Sequence, residues 1–516
     1  MTVLADAPVD THLSHNGRSV HKNLVLVTVA IAQLMVVLDA TIVNVALTHI
    51  ATALKIKSTG DLSWVVTGYA LTFGGFLLLG GKLADRLGRR RVFMLGAVLF
   101  AAASLVGGLA DNLGILIAAR TVQGAGGALM SPSALSILTV VFREGEERNK
   151  ALGIWATITA AGAATGLLLG GLLTEYASWR WVFFVNVPIA LAAVAGAIAF
   201  VPESRDERAG GFDLPGAVFV TGGLMSFVFA LVKGNDYGWG DIKTVGAFGL
   251  AAVLLMAFLQ VQVVSDHPLI PARLLKLKNV LGSDAGALFV FAGIFAIFFF
   301  MVLWMQQVNG WSPVHAGVAF LPMPFTIGIS AGITSRLLGR TGPGPLLLIG
   351  PLIAACGLIH LGLRLQPHSS YWGVVLPSLM MVAAGMGLTF VSITSAAVAG
   401  GPHEDAGMAS AMLNAGQQVG GAIGLGLLAA VSSARTGHLF PDHAAAAQQV
   451  AQARITGGHV DPSLLIRLTN ATVDGWTSGF LVGAGLIVIA AVIMRALVRV
   501  SRDDAAAALK EAMHAG

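Results

Sequence analysis

The sequence predicts an all-α integral membrane protein that crosses the bilayer with fourteen helices, and three observations support this prediction. Apolar stretches of about twenty residues, the length that spans the hydrocarbon core, recur along the whole chain. Only 11% of the 516 residues are charged, whereas 56% are hydrophobic. The mean hydropathy is +0.80. Because so few charges could not keep so apolar a surface in water, the composition excludes a soluble multidomain protein.

Short polar or charged loops separate the predicted spans. The first span, residues 24–47, is too long for the apolar core of a signal peptide and has no small-residue cleavage site behind it, so we expect an uncleaved helix. The remaining spans cover residues 61–80, 92–110, 113–140, 151–174, 179–201, 213–233, 244–265, 279–305, 314–337, 344–365, 371–398, 406–431 and 476–497.

Lys and Arg residues indicate which loops face the cytoplasm. They are concentrated in alternate loops, on the side of the bilayer that would also hold both termini. Because basic loops resist translocation, we expect both termini in the cytoplasm and the protein in the inner (plasma) membrane. The basic balance, with 31 Lys and Arg against 26 Asp and Glu, then reflects topology and not nucleic-acid binding.

An internal repeat predicts two six-helix bundles. Residues 81–96 align with residues 335–350, so that Gly88 falls on Gly342. Parallel repeats around a midplane site form one large class of transporters. The predicted organisation is a cytoplasmic tail at 1–22, an N-terminal bundle at 23–205, an inserted helix pair at 206–278, a C-terminal bundle at 279–497 that includes an extracytoplasmic loop at 432–475, and a cytoplasmic tail at 498–516.

Asp39 lies deep in the first span, where an ionised carboxylate costs about 2.5–3.5 kcal/mol even on lenient insertion scales. A cost of this size usually indicates a function. We expect Asp39 to bind and release protons as the site becomes accessible from each side of the membrane in turn. The alternative is a structural carboxylate that is hydrogen-bonded to a neighbouring helix.

Arg120 is the only basic residue deep in a predicted span, so it needs a partner or a water-filled cavity. Gly124 and Gly127 follow on the same helix face and would let another helix approach closely. Arg120 is therefore expected either to tune Asp39 or a substrate site, or to form a purely structural ion pair.

Glycines form a smooth ridge on the fifth span, at Gly162, Gly166, Gly170 and Gly171. Close packing against another helix explains such a ridge. A hinge on which the two halves rock is the alternative.

Uncharged polar residues mark a candidate substrate cavity. The clearest group is a stripe near the C-terminus, which must face protein or water because lipid cannot satisfy it. The candidate cavity residues are Gln33, Asn44, Gln123, Gln306, Gln307, Asn414, Gln417 and Gln418. Asp284, which lies just inside its span, is expected to extend toward the membrane interface.

The sequence offers no metal site, cofactor site or enzyme site. His315 and His360 have no second ligand at helical spacing, and no phosphate-binding loop occurs. No nucleophile, base and orienting residue form a recognisable constellation. We therefore expect a protein that is not an enzyme, needs no cofactor, and takes its energy from an ion gradient or from the gradient of its substrate.

Four motifs give the chain a family resemblance. Residues 81–91 look like the cytoplasmic loop signature of the major facilitator superfamily, and residues 38–47, 120–127 and 178–188 are similar to motifs of its fourteen-helix drug:proton antiporter-2 branch. The chain resembles these multidrug exporters over nearly its full length. It departs from them at Leu167 and Thr48, where the motifs carry proline.

The resemblance implies a major facilitator fold and a proton-coupled antiporter. It would export small hydrophobic compounds by alternating access, as a monomer, with Arg120 linked to proton transfer. The loop residues Gly81, Asp85, Arg86, Gly88, Arg89 and Arg90 would form a cytoplasmic charge cluster that locks the outward-open state. The alternatives are a dedicated exporter of one metabolite or antibiotic, and a uniporter or importer without proton coupling.

Overall fold

The computed structural model describes residues 14–15, 18–19, 21–56, 58–142, 146–206, 211–399, 406–443, 445–447, 450 and 461–500. Long helices dominate these residues, and two short antiparallel strands, β1 (Ser14–His15) and β2 (Arg18–Ser19), precede them. The tails predicted at 1–22 and 498–516 lie largely outside the described residues.

The N-terminal helices are α1 (Lys22–Ala53), α2 (Thr59–Leu87), α3 (Arg89–Leu109), α4 (Leu113–Val141), α5 (Glu146–Tyr176), α6 (Trp181–Phe184) and α7 (Asn186–Phe200). They are followed by α8 (Leu214–Tyr237), α9 (Ile242–Val264) and the short α10 (Ala272–Leu275). The C-terminal helices are α11 (Lys278–Leu303), α12 (Pro313–Phe320), α13 (Pro322–Thr341), α14 (Pro343–Arg364), α15 (Leu376–Val398), α16 (Ala406–Leu439) and α17 (Pro462–Leu497). Two π-helical turns, Trp304–Val308 and Tyr371–Val375, extend α11 and precede α15.

Fourteen helical stretches of the described chain are long and apolar enough to cross a membrane, which confirms the predicted number of spans. In the N-terminal group α4 packs against α2 and α3, and α1 packs against α5. In the C-terminal group α14 packs against α15, and α11 packs against α16 and α17. The inserted helices α8 and α9 form a hairpin, and α8 contacts both α2 and α16.

The loop predicted at 432–475 is helical at both ends, so the prediction made it too long. The helix α16 continues to Leu439 and α17 begins at Pro462. Hydropathy locates only the apolar part of a helix, and these polar ends extend beyond it. The side-chain oxygen of Asp461 accepts a hydrogen bond from the N–H of Ser463 and caps the start of α17. The dipeptide Asp461-Pro462 is a helix start signal that could have been recognised in the sequence.

Candidate functional site

A buried ion pair joins α1 to α4. Nη1 of Arg120 lies 2.6 Å from Oδ2 of Asp39, and the side chains are 1% and 0% exposed. The other oxygen, Oδ1, accepts hydrogen bonds from Nε2 of Gln123 at 2.7 Å and from Nδ2 of Asn186 at 2.8 Å. We call these four residues the Asp39 cluster. Three hydrogen bonds, one of them from the guanidinium cation, therefore reach the Asp39 carboxylate.

The guanidinium of Arg120 is held by more than its counter-ion. Its Nε donates to the carbonyl of Val65 at 2.8 Å, and its Nη1 also donates to Oε1 of Gln123 at 2.8 Å. The ring of Tyr69 lies 4.4 Å from the guanidinium carbon, and the ring of Phe183 lies 5.9 Å from it. A buried charge that is fixed in this way depends on its partner for much of its stabilisation.

Gln123 was expected to line a substrate cavity, but the structure places it inside the Asp39 cluster. It is 0% exposed, and its Nε2 also lies 2.8 Å from Oγ of Ser104. Asn186 was not singled out in the sequence. Its only signal was its place in the motif at residues 178–188, where an amide interrupts an apolar run two residues before Pro188.

The other candidate cavity residues of α1 are engaged separately. Oε1 of Gln33 accepts a hydrogen bond from Oγ of Ser131 at 3.0 Å. Nδ2 of Asn44 donates to the carbonyl of Ala40 at 3.0 Å, within its own helix. Neither residue reaches the Asp39 cluster through a hydrogen bond that the structure records.

The polar stripe on α16 forms a separate group. Asn414 is exposed and donates to the carbonyl of Ser410 at 3.1 Å, whereas Gln417 is 7% exposed. Gln418 packs against Gly74 of α2, where an added Cβ would lie 3.0 Å from the Cβ of the glutamine. A small apolar pocket lies between α11 and α15; its lining includes Val290, Phe291, Met386 and Phe390.

The charged turn between α2 and α3 marks one face of the molecule, which we call the loop face. Asp85 accepts hydrogen bonds from Arg89, with Nη2 at 2.7 Å, and lies 3.3 Å from Oγ of Ser136 on α4. Arg90 and Glu203 form a second ion pair at 3.8 Å. These contacts join the turn to the N-terminal bundle itself.

Gly88 allows this turn to form. Its φ is 114°, a conformation that side chains other than glycine rarely adopt, and an added Cβ would lie 2.6 Å from Oε1 of Glu203. Glu203, which also lies 3.5 Å from Arg91, was not predicted. Arg86 lies over the ring of Phe212 at 5.5 Å, and an added Cβ at Gly81 would have its nearest neighbour at 3.8 Å.

The two bundles pack against each other along α2 and α16, where Gly74 lies beside Gln418. They also meet on the face opposite the loop face, which we call the far face. Oγ1 of Thr48 donates a hydrogen bond to Oε1 of Gln306, and Nε2 of Gln306 donates to the carbonyl of Val45 at 2.9 Å. Gln306 was expected to line the cavity, and instead it joins the end of α1 to the end of α11. Gln307 beside it is exposed.

A second contact on the far face joins α5 to α12. The N–H of Val314 donates to Oε2 of Glu175 at 2.9 Å. Gly171 contributes to this contact, since an added Cβ would lie 2.8 Å from the carbonyl of Pro313.

The rest of the glycine ridge faces α1 inside the N-terminal bundle. An added Cβ would lie 3.1 Å from Leu34 at Gly162 and 2.7 Å from the carbonyl of Ile42 at Gly170, and at Gly166 it would overlap Thr41. These contacts agree with close packing. The hinge role stays a prediction.

Comparisons with known proteins match the chain over most of its length. The family model for the Major Facilitator Superfamily matches residues 29–425. The puromycin resistance protein pur8 of Streptomyces alboniger is 38% identical over 93% of this chain and 92% of that protein. The tetracenomycin C resistance and export protein of Streptomyces glaucescens is 35% identical over 81% and 77%. The multidrug resistance protein Stp of Mycobacterium tuberculosis is 33% identical over 80% and 76%.

Solved structures resemble the chain at lower identity. The inward-facing, unoccupied structure of a bacterial homologue of the human lysosomal transporter Spinster has a TM-score of 0.65 at 17% identity, covering 95% of this chain and 98% of that one. The inward open xylose transporter XylE from E. coli has a TM-score of 0.57 at 15% identity, covering 93% and 97%. At such identities the likeness establishes the fold alone.

Proposed function

This chain belongs to the Major Facilitator Superfamily, and we propose that it is a proton-coupled antiporter that exports small hydrophobic compounds by alternating access. Its family and its relatives make it a multi-pass transporter rather than an enzyme. The relatives named above are resistance and export proteins, which supports a drug or an antibiotic as the substrate.

The observation that carries the proton coupling is the contact between Asp39 and Arg120. A proton on Asp39 would remove the negative charge that Arg120 faces at 2.6 Å, and would leave the guanidinium buried without a counter-ion. The cluster would then rearrange, and α1 and α4 would move with it. One proton that returns inward supplies about 2.3 kcal/mol per 100 mV of membrane potential.

We infer an inward-facing state from the packing of α5 and α13, while α2 and α16 stay in contact where Gly74 lies beside Gln418. Thr48 and Gln306 join the bundles on the far face. Toward the loop face, an added Cβ at Gly153 of α5, or at Gly332 or Gly339 of α13, would meet no atom within 4 Å. If the basic loop face is cytoplasmic, the substrate enters from the cytoplasm and leaves at the far face.

The proposed setting follows the charge distribution of the loops. We place the chain in the inner (plasma) membrane with both termini in the cytoplasm, acting as a monomer without a cofactor. Its partners would be the substrate, protons and the lipid bilayer. The small pocket between α11 and α15 has an apolar lining, which favours an apolar group of a substrate.

A dedicated antibiotic exporter is a second candidate. It is favoured by the 38% identity to pur8, a puromycin resistance protein, over 93% of this chain. A panel of drugs with puromycin among them separates the candidates, since a multidrug exporter protects cells against several unrelated compounds and a dedicated one against a single class.

The test of the proposed function is ethidium efflux from cells with matched membrane levels of wild type, Asp39→Asn and the control Asp111→Asn. Asp111 is exposed, so its variant controls for loss of a carboxylate as such. We expect efflux that an uncoupler abolishes in the wild type and the control, and little efflux from Asp39→Asn. Efflux that resists both the uncoupler and the Asp39 substitution contradicts proton coupling.

A further inference from the structure

Asp284 is a carboxylate that the proposed cycle does not use. It lies in the second turn of α11, toward the loop face. Both of its carboxylate oxygens are buried and neither has a hydrogen-bond partner among the described residues, although the residue as a whole is only partly buried. From its position near the start of its span, this side chain was expected to extend to the membrane interface. The structure instead buries both carboxylate oxygens. The position of a residue along its helix does not determine whether neighbouring helices cover its side chain.

The helices around Asp284 pack closely. An added Cβ on Gly416 of α16 would lie 3.5 Å from the backbone carbonyl of Asp284, and one turn further Gly420 faces Leu288. On another side of α11, Met494 of α17 fills the space beside Gly286. Glycines and apolar side chains therefore form the near neighbours of this part of α11.

Charged groups on the surrounding elements do not pair with Asp284. Residues 406–434 of α16 and all of α15 carry no charged side chain. Basic residues at the same end of the surrounding elements are Arg273 of α10, Lys276 and Lys278 at the start of α11, and Arg495 at the end of α17, with Arg499 beyond it. No ion pair recorded among the described residues includes Asp284.

We propose that Asp284 is a second proton-binding site, which lies in the C-terminal bundle and holds its proton while Asp39 is ion-paired. The geometry separates the two carboxylates. Asp39 has a cation and two amide donors, which suit its ionised form. Asp284 has buried oxygens without donors, and an ionised carboxylate without donors or water is far less stable than the neutral acid.

The second site changes the expected stoichiometry. With Asp39 alone, one proton would move per cycle. With one carboxyl group in each bundle, two protons can be bound. Asp284 would lose its proton when a rearrangement of the helices around it brings water or a cation to its carboxylate oxygens.

Infrared spectroscopy of the purified protein in lipid tests the protonation directly and does not depend on transport. At neutral pH we expect the C=O stretching band of a protonated carboxyl group in wild type and in Asp39→Asn, and its loss in Asp284→Asn. Asparagine has nearly the shape of the neutral acid, so this variant should fold. If it does not, Asp284→Glu should keep a shifted band. A protonated-carboxyl region that is the same in wild type and in folded Asp284→Asn overturns the proposal.

A second measurement asks whether the site takes part in transport. Ethidium is added to purified protein in weakly buffered solution, and proton release is followed. We expect Asp284→Asn to release fewer protons than wild type, because it lacks one of the two proposed sites. Equal release overturns a role in coupling, while release by wild type that depends on Asp39 alone leaves the proposed function intact.

Discussion

Arg120 and Asp39 face each other at 2.6 Å, and neither side chain is more than 1% exposed. The pair is therefore isolated from water on all sides, and its energetics depend on both charges being present. Neutralising one residue of the pair leaves the other as a buried charge without a counter-ion. Replacing both by amide side chains leaves no buried charge, and the amides can still form hydrogen bonds.

A double-mutant cycle on this pair should show strong coupling. We expect Arg120→Gln and Asp39→Asn each to lower the free energy of unfolding by about 3–5 kcal/mol, since each leaves one buried charge uncompensated. The double variant should lose clearly less than the sum of the two single losses. Denaturant unfolding of the purified proteins measures this. Additive losses would mean that the two charges do not stabilise each other.

The far-face contact of Gln306 gives a second prediction. Gln306→Leu removes the hydrogen bonds to Thr48 and Val45, so we expect the far face to open more often. The exposed neighbour provides the control, Gln307→Leu. The measurement is labelling of Ala46→Cys, a buried position, by an impermeant maleimide from outside, in a Cys356→Ser background.

Faster labelling in Gln306→Leu than in Gln307→Leu is the expected result. Equal labelling rates would show that this hydrogen bond does not hold the far face closed. Faster labelling only from the cytoplasmic side would contradict the assigned orientation.

The glycine ridge gives a third prediction. Gly166→Ala would overlap Thr41 on α1, so we expect it to destabilise the protein by about 1–3 kcal/mol. Gly153→Ala on the same helix meets no atom within 4 Å and should be neutral or stabilising by up to about 1 kcal/mol. Thermal unfolding compares the two. Thr41→Ala should partly rescue Gly166→Ala, and absence of rescue would contradict the assigned contact.

His443 gives a prediction about pH. Burial lowers its pKa, and its Nε2 lies 2.9 Å from Oγ1 of Thr472 on α17. The unfolded chain therefore binds a proton at a higher pH, about 6.5, than the folded chain does. The contribution of neutral His443 to stability is present above that pH and is lost as the pH falls toward the folded pKa.

Unfolding of wild type and His443→Gln, compared from about pH 8 to about pH 5, measures this contribution. We expect the stability advantage of wild type to shrink toward acid pH. An advantage that is constant or that grows at acid pH would show that burial does not favour the neutral ring.

The sequence was sufficient for the spans and for the two charges at the centre of the site. Hydropathy predicts membrane helices well because the bilayer core excludes unsatisfied polar groups, and the family resemblance is confirmed by the relatives. Asp39 and Arg120 were recognisable because charge is costly in an apolar span. Their contact was not predictable, since it depends on how α1 and α4 are placed side by side.

Two residues that bind the predicted site residues were not predicted from the sequence. Asn186 and Glu203 complete the Asp39 cluster and the turn at Gly88, but a single amide or carboxylate in a sequence carries no sign of its neighbour. Two of the candidate cavity residues were recognised as polar residues within spans, but their partners differ from those predicted. Gln123 and Gln306 are polar residues in spans, as a cavity would require, yet they form hydrogen bonds with side chains and a backbone carbonyl of other helices.

The most direct test of proton coupling through Asp39 is to measure proton movement across the membrane of proteoliposomes that contain a pH-sensitive dye. Ethidium is added as the substrate that moves in the opposite direction. We expect an ethidium gradient to drive opposing proton movement in wild type and in Asp111→Asn, and none in folded Asp39→Asn at the same protein density. Proton movement that persists without Asp39, or ethidium movement without protons in wild type, would contradict the Asp39–Arg120 pair as the coupling switch.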